Sequence, residues 1–190
     1  MVDKKPEPGA RTFFSTIEFA LLVVRNPFKD SPHFGKYLAV NESRNRGWWI
    51  PGGAVDYGET FQAAAIRECR EEAGVEVDLK GILRIDHGVN GHNSRMRVIL
   101  YAEPKSLEEA HKFKTVPDEE SQEARWVNMD EIVELGLNDP NGIRGDELPK
   151  WVEYLNKGGH IYPMEFFGQE GMVQKPEASK SMDITQLPTK

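Results

Sequence analysis

Phe13 to Arg25 (FFSTIEFALLVVR) is dense in β-branched and aromatic residues and contains the longest apolar run of the chain, Phe19 to Val24. A run of that length matches a strand, so the pattern predicts a long buried strand here. Asn26-Pro27 and Lys29 to Pro32 read as a loop, and Lys36 to Val40 as a second strand. Gly47 to Pro51 (GWWIP) is a short aromatic stretch that breaks at Gly52-Gly53. Thr60 to Ala73 carries the helical signal described below. Val75 to Ile85 alternates loosely and Arg95 to Ala102 (RMRVILYA) more clearly, which predicts two further strands. Glu103 to Asp118 reads as a long connection with a helical turn in Ser106 to Lys112, and Glu123 to Val127 as another short strand. Asn128 followed by Glu131 is a capping pattern that opens a helix over Asn128 to Leu135. Glu147 to Asn156 (ELPKWVEYLN) predicts one more helix, ended by Gly158-Gly159, after which His160 to Phe167 has the composition to rejoin the sheet. Strands and helices are interspersed, so the pattern predicts a layered α/β arrangement with a mixed sheet.

Both ends lack such periodicity. Met1 to Ala10 (MVDKKPEPGA) and Gln174 to Lys190 (QKPEASKSMDITQLPTK) are polar and proline-bearing, and predict flexible tails. The expected layout is a tail over residues 1–11, a domain over 12–171 that includes a C-terminal helical extension, and a tail over 172–190. No internal repeat is visible.

Composition narrows the class of protein. The chain has 190 residues, 38% of them hydrophobic and 29% charged, which is too apolar for disorder and too polar for a membrane protein. No apolar stretch approaches the roughly 18 residues of a membrane span, and nothing at the N-terminus resembles a signal peptide. A single cysteine, Cys69, excludes an intrachain disulfide and a cysteine zinc site. A cytoplasmic protein is therefore expected. The 24 Lys and Arg against 31 Asp and Glu leave a formal charge of −7, which argues against electrostatic binding of extended nucleic acid.

One segment departs from the rest. Gly52, Gly53 and Gly58 free the backbone of a loop for close approach. Thr60 is a good N-cap, residues 61–73 are strong helix formers, and Gly74 stands where a helix end wants a left-handed residue. The spacing predicts a helix of about 14 residues, about 21 Å long. Glu68, Glu71 and Glu72, at i, i+3 and i+4, share one face of it. Three like charges so close repel and raise one another's pKa values, near the end of the helix dipole that disfavours anions. Arg67 and Arg70 relieve part of this. A hard divalent cation such as Mg²⁺ or Mn²⁺ relieves more. A solvated acidic face is the plainer alternative for such spacing taken alone.

Its attachment to the loop decides between them. Gly53 is followed after five residues by Glu59, and after seven more by Arg67-Glu68-Cys69-Arg70-Glu71-Glu72-Ala73-Gly74-Val75. This succession resembles the Nudix box, with every fixed position filled and Cys69 and Val75 at the apolar ones. The preceding Trp49-Ile50-Pro51-Gly52-Gly53 is similar to the family's lead-in.

The resemblance implies a Nudix fold, an α/β/α sandwich around a mixed β-sheet. It also implies a MutT-like pyrophosphohydrolase in which water attacks a phosphorus of a nucleoside diphosphate derivative. It implies Mg²⁺ or Mn²⁺ on Glu68, Glu71, Glu72 and the Gly53 carbonyl. Arg67 would orient a box glutamate, and Glu59 would pair with an arginine. The family often adds an acidic residue from a loop before the last strand. Asp118, Glu119, Glu120 and Glu123 are candidates here, with Glu120 favoured and Glu123 next. The expected partner is a small nucleotide, with no membrane. Many relatives are dimers, so a homodimer is consistent with the resemblance. Substrate markers for ADP-ribose, dinucleoside polyphosphates, coenzyme A and NADH are absent, which leaves nucleotide sanitising by elimination. The alternatives are a nucleotide sensor that does not cut and a hydrolase of another nucleoside diphosphate such as a nucleotide sugar. A sensor would be expected to have lost box glutamates, and this chain keeps them. Trp48, Trp49 and Phe14 are aromatic candidates for stacking on a base, although aromatics beside strands are more often core. Asn90, His92, Asn93 and Arg95 fall in a hairpin-like loop, as base readers or as plain solvated turn residues.

Overall fold

The computed structural model describes residues 15–91 and 93–168. The expected tails at 1–11 and 172–190 lie outside the described residues, as do Phe13, Phe14 and His92. Along the chain come β1 (Ser15–Val24), β2 (Tyr37–Glu42), β3 (Gly47–Trp49), β4 (Gly52–Ala54), α1 (Phe61–Ala73), β5 (Val77–Asn90), β6 (Asn93–Pro104), β7 (Ser121–Val127), α2 (Met129–Asn138) and α3 (Glu147–Asn156).

The strands form two sheets, ordered β4-β1-β6-β5 and β3-β2-β7. In the first, β1 and β6 run parallel in unbroken register from Ser15↔Asn93 to Val24↔Ala102, while β4 and β5 are antiparallel to their neighbours. That sheet is therefore mixed, and the second is antiparallel throughout. Alternation along β1 divides the core. Ala20, Leu22 and Val24 face Ala64, Ala65, Cys69 and Ala73 of α1. Leu21 and Val23 face the side that holds Ile132 and Leu135 of α2 and Leu148 and Val152 of α3. Helices on both sides of the strands make the fold a mixed α/β sandwich. Small residues on the inner face of α1 bring its axis close to β1 and β4, which places its carboxylates beside the β4 backbone.

The ends of α1 follow local chemistry. The Thr60 hydroxyl accepts from the Ala63 N–H at 3.1 Å, and Gly74 closes the helix at φ 72°. Thr60→Ala should cost about 1 kcal/mol of stability, read as a lower urea midpoint at unchanged slope. Asn128 and Glu131 form the expected capping box of α2, and Lys36 Nζ adds a 2.6 Å bond to Glu131.

Where structure and pattern differ, long-range pairing is the cause. Strand β4 has too few residues for a periodicity and forms because Gly52–Ala54 pairs with Phe19–Leu21 of β1. The β5–β6 hairpin runs longer than the alternation indicates, since Arg84 to Asn90 is mostly exposed and held by ladder bonds to β6 rather than by burial. Segment 160–167 returns to the sheet at one point, where Tyr162 and Ile82 exchange two backbone bonds of 2.8 Å. Trp48 is fully buried and Trp49 nearly so, which removes both as base-stacking surfaces. Among the described residues no helix is long and apolar enough to cross a membrane.

Candidate active site

Arg67 organises the loop before α1. Its Nε and Nη2 each donate at 2.9 Å to the two oxygens of Glu59, and Nη2 also donates to the Ala54 carbonyl at 3.0 Å. Nη1 donates to Glu68 at 2.8 Å and to Glu71 at 3.1 Å. One guanidinium thus ties residues 54–59 to the helix and sits between two of its carboxylates. The bidentate bond with Glu59, and behind it those with Glu68 and Glu71, raises the Arg67 pKa further. The same contact lowers that of Glu59.

Glu72, and Glu68 with it, press on the β4 backbone. Glu72 is 6% exposed, and its Oε2 accepts from the Gly52 N–H at 2.8 Å. Glu68 lies against Gly53 so closely that a Cβ there would stand 2.4 Å from its Oε1. Burial pushes the Glu72 carboxyl up to about 8, with the Glu68 and Glu42 charges adding to it. Burial also raises Glu68, opposed by Arg67 and reinforced by Glu71 and Glu120. A buried carboxylate with no cationic partner among the described residues, Glu72, on the same helix face as Glu68 and Glu71 offers oxygen donors suited to a hard divalent cation. Among the described residues no three acidic, His or Cys side chains already converge tightly enough to enclose an ion. Arg67 is the cation that Glu68 and Glu71 engage here. The fit to a metal therefore rests on the donor chemistry and on the Gly53 cradle.

The four candidates before β7 separate by their partners. Arg125 holds Glu123 through bonds of 2.8 and 3.1 Å. Lys114 holds Asp118 by both oxygens, at 2.8 and 2.7 Å. Glu119 is exposed. Glu120 is exposed as well, and of the four it is the one whose charge acts on Glu68.

Sequence reading missed a second layer. Glu42, 3% exposed on β2, is engaged by both oxygens to Arg144, whose guanidinium also stacks 4.2 Å over the Trp49 ring. Nearby, Trp48 N–H donates to the Gly142 carbonyl at 2.9 Å, and the Arg144 N–H donates to the Trp48 carbonyl at 2.9 Å. The 139–144 segment therefore clamps the strand that leads into Gly52-Gly53. No spacing in the sequence signals a contact between residues 102 positions apart.

A cavity of about 850 Å³ opens between the β5–β6 hairpin and α3, with Asp86, Arg97, Glu147, Trp151, Tyr154 and Tyr162 on its walls. Arg97 bridges Asp86 and Glu147 at 2.8 Å each. Asp86, Arg97, Phe19 and Ala54 are successive register partners across the sheet. Asp86 is thus three strand spacings, roughly 14 Å, from Ala54, and the cavity lies on the α3 side of the sheet, opposite α1.

Comparison with known proteins agrees with this arrangement. The NUDIX domain family model matches residues 20–151. An Erythrobacter litoralis protein named RNA pyrophosphohydrolase is 49% identical over 120 residues, covering 58% of this chain and 68% of that protein. A Mycobacterium tuberculosis protein provisionally named 8-oxo-dGTP diphosphatase 3 is 33% identical over 96 residues, 48% of this chain and 42% of that one. The chain spans less than half the length of several curated relatives, 29% to 42%. Among solved structures, a NUDIX hydrolase from Nitrosomonas europaea superposes with a TM-score of 0.57 at 22% identity, covering 82% of this chain and 97% of that one, and shares the fold.

Proposed function

Because the chain belongs to the NUDIX domain family, we propose that it hydrolyses the pyrophosphate linkage of a nucleoside di- or triphosphate derivative, with Mg²⁺ or Mn²⁺ as cofactor. Glu68, Glu71, Glu72 and the Gly53 carbonyl would hold the metal, which when bound neutralises phosphate oxygens and makes a water nucleophilic. The observation that carries this reading is the seating of Glu68 and Glu72 on the Gly52–Gly53 backbone, with Glu72 buried and without a cationic partner among the described residues. Arg67 orients Glu68 and Glu71 and fixes the loop. Glu120, exposed and with its charge acting on Glu68, is the carboxylate proposed to take a proton from water at the reacting phosphorus.

Nucleotide sanitising is the favoured substrate class. The name of the M. tuberculosis relative supports it, and so does the absence of other substrate markers. The cavity supports a bound nucleoside through the aromatic rings of Trp151, Tyr154 and Tyr162 on its walls. Trp151→Ala should raise KM about tenfold with kcat little changed, measured by initial rates. The E. litoralis relative's name favours a second substrate, a triphosphorylated RNA 5′ end. The test is a panel of oxidised and ordinary nucleoside triphosphates, nucleotide sugars and a 5′-triphosphate RNA, each with Mg²⁺ or Mn²⁺. Release of phosphate or pyrophosphate is followed. Tight binding without turnover across the panel would replace the hydrolase reading with that of a sensor.

A further inference from the structure

Helix α1 ends in four carbonyls that have no partner within the helix. The Gly74 N–H takes that of Arg70 at 3.0 Å. The other three are taken by the connection between β6 and β7 and by the first residue of β7. Lys114 Nζ donates to the Glu71 carbonyl at 2.5 Å, Ser121 Oγ to the Glu72 carbonyl at 2.6 Å, and the Lys114 N–H to the Ala73 carbonyl at 2.8 Å. The same ammonium, its side chain 11% exposed, also donates to both oxygens of Asp118. Asp118 Oδ1 in turn accepts from the backbone N–H groups of Glu120 at 3.0 Å and Ser121 at 3.1 Å.

We propose that Lys114 is a positioning residue, which locks the loop bearing Glu120 to the end of the helix bearing Glu68, Glu71 and Glu72. The proposal rests on the hydrolase reading above and deepens it. A lysine suits the task because one ammonium offers three donors, here spent on one helix carbonyl and one carboxylate. Its positive charge at the C-terminal end of α1 also offsets the helix dipole there. With Lys114 in place, Asp118 is fixed and so are the two amides that set the backbone of Glu120. Without it, Asp118 is released, and the backbone at Glu120 loses the anchor that Asp118 gives it. Lys114 acts only through Glu120 and touches no substrate.

The test uses Lys114→Met, which keeps the stem and removes the charge, alone and combined with Glu120→Gln. Three readouts are taken on the full chain: amide hydrogen exchange at Glu120 and Ser121, Mn²⁺ affinity by paramagnetic resonance, and steady-state kinetics. Lys114→Met should speed exchange at both amides and leave Mn²⁺ affinity undiminished, because Glu120 is not among the proposed ligands. It should lower kcat by about 10- to 100-fold with KM within about twofold. Added to Glu120→Gln, it should cost nothing further in kcat, because the two changes remove the same contribution. Unchanged exchange, or losses that multiply in the double variant, overturn the proposal. If Lys114→Met does not fold, Asp118→Asn breaks the same ion pair and should show the same pattern at smaller size. A wild-type chain that turns over no nucleotide overturns the hydrolase reading instead, and the exchange measurements still decide the role of Lys114.

Discussion

Replacing Glu72 with glutamine should lower metal-dependent hydrolysis by about 10³-fold or more and leave the protein folded. The side chain is buried, and its one hydrogen bond is accepted from the Gly52 N–H, a bond the glutamine carbonyl can also accept. What the substitution removes is charge. In the metal-free protein that charge is unfavourable, since burial pushes the Glu72 carboxyl up to about 8. Stability without metal should therefore be equal or higher in Glu72→Gln, while Mn²⁺ affinity falls. The two shifts in opposite directions separate a metal ligand from a structural carboxylate. Kinetics over a Mg²⁺ and Mn²⁺ titration and urea melts without metal are the measurements. Full activity in Glu72→Gln would remove the proposed site. Glu71→Gln should lose activity in the same direction, with little change in stability because Glu71 is more exposed.

The second large effect comes from two adjacent glycines that should fail in different ways. A Cβ at Gly53 would meet only the carboxylate end of Glu68, at 2.4 to 2.8 Å, and a side-chain end can move aside. Gly53→Ala should therefore fold nearly as well as the wild type, but with Glu68 displaced. Activity should fall by about 10²-fold or more, the usual size for a catalytic group shifted by an ångström. A Cβ at Gly52 would meet the Ala20 carbonyl at 2.5 Å and the Leu21 Cα at 2.7 Å, both backbone, from a φ of 148°. Strand β1 cannot yield without losing its pairing with β6. Gly52→Ala should thus lose at least about 2 kcal/mol of stability. A stability loss in Gly53→Ala equal to that in Gly52→Ala would mean that Glu68 is not free to move and that the cradle is structural.

The elements read correctly from sequence were those whose causes lie within a few residues. Thr60 caps the third amide beyond it, Gly74 takes the left-handed turn, and Asn128 and Glu131 bond reciprocally. The placement of Glu68, Glu71 and Glu72 on one face is likewise a matter of helical period. The limits of β5 and β6 were less legible, because the outer part of their hairpin is held by backbone pairing, which leaves no mark on the side-chain pattern. Trp48 and Trp49 could be read as core or as ligand surface until their burial was known.

The fourth carboxylate shows the same boundary. Asp118, Glu119, Glu120 and Glu123 are equivalent as acidic residues before a strand. They are distinguished by Lys114, which takes Asp118, and by Arg125, which takes Glu123. The clamp of Arg144 on Glu42 and Trp49 is equally silent in the sequence.

The amino-acid sequence by itself determined the family resemblance, the capped helix and the alignment of its three glutamates, because each depends on spacing along one element. Tertiary structure alone decided that Glu68 and Glu72 lie against the β4 backbone, that the β6–β7 connection and Ser121 cap α1, and which loop carboxylates a basic side chain already holds. The first two relations join residues tens of positions apart, and only packing two sheets between helices brings such residues within hydrogen-bonding distance.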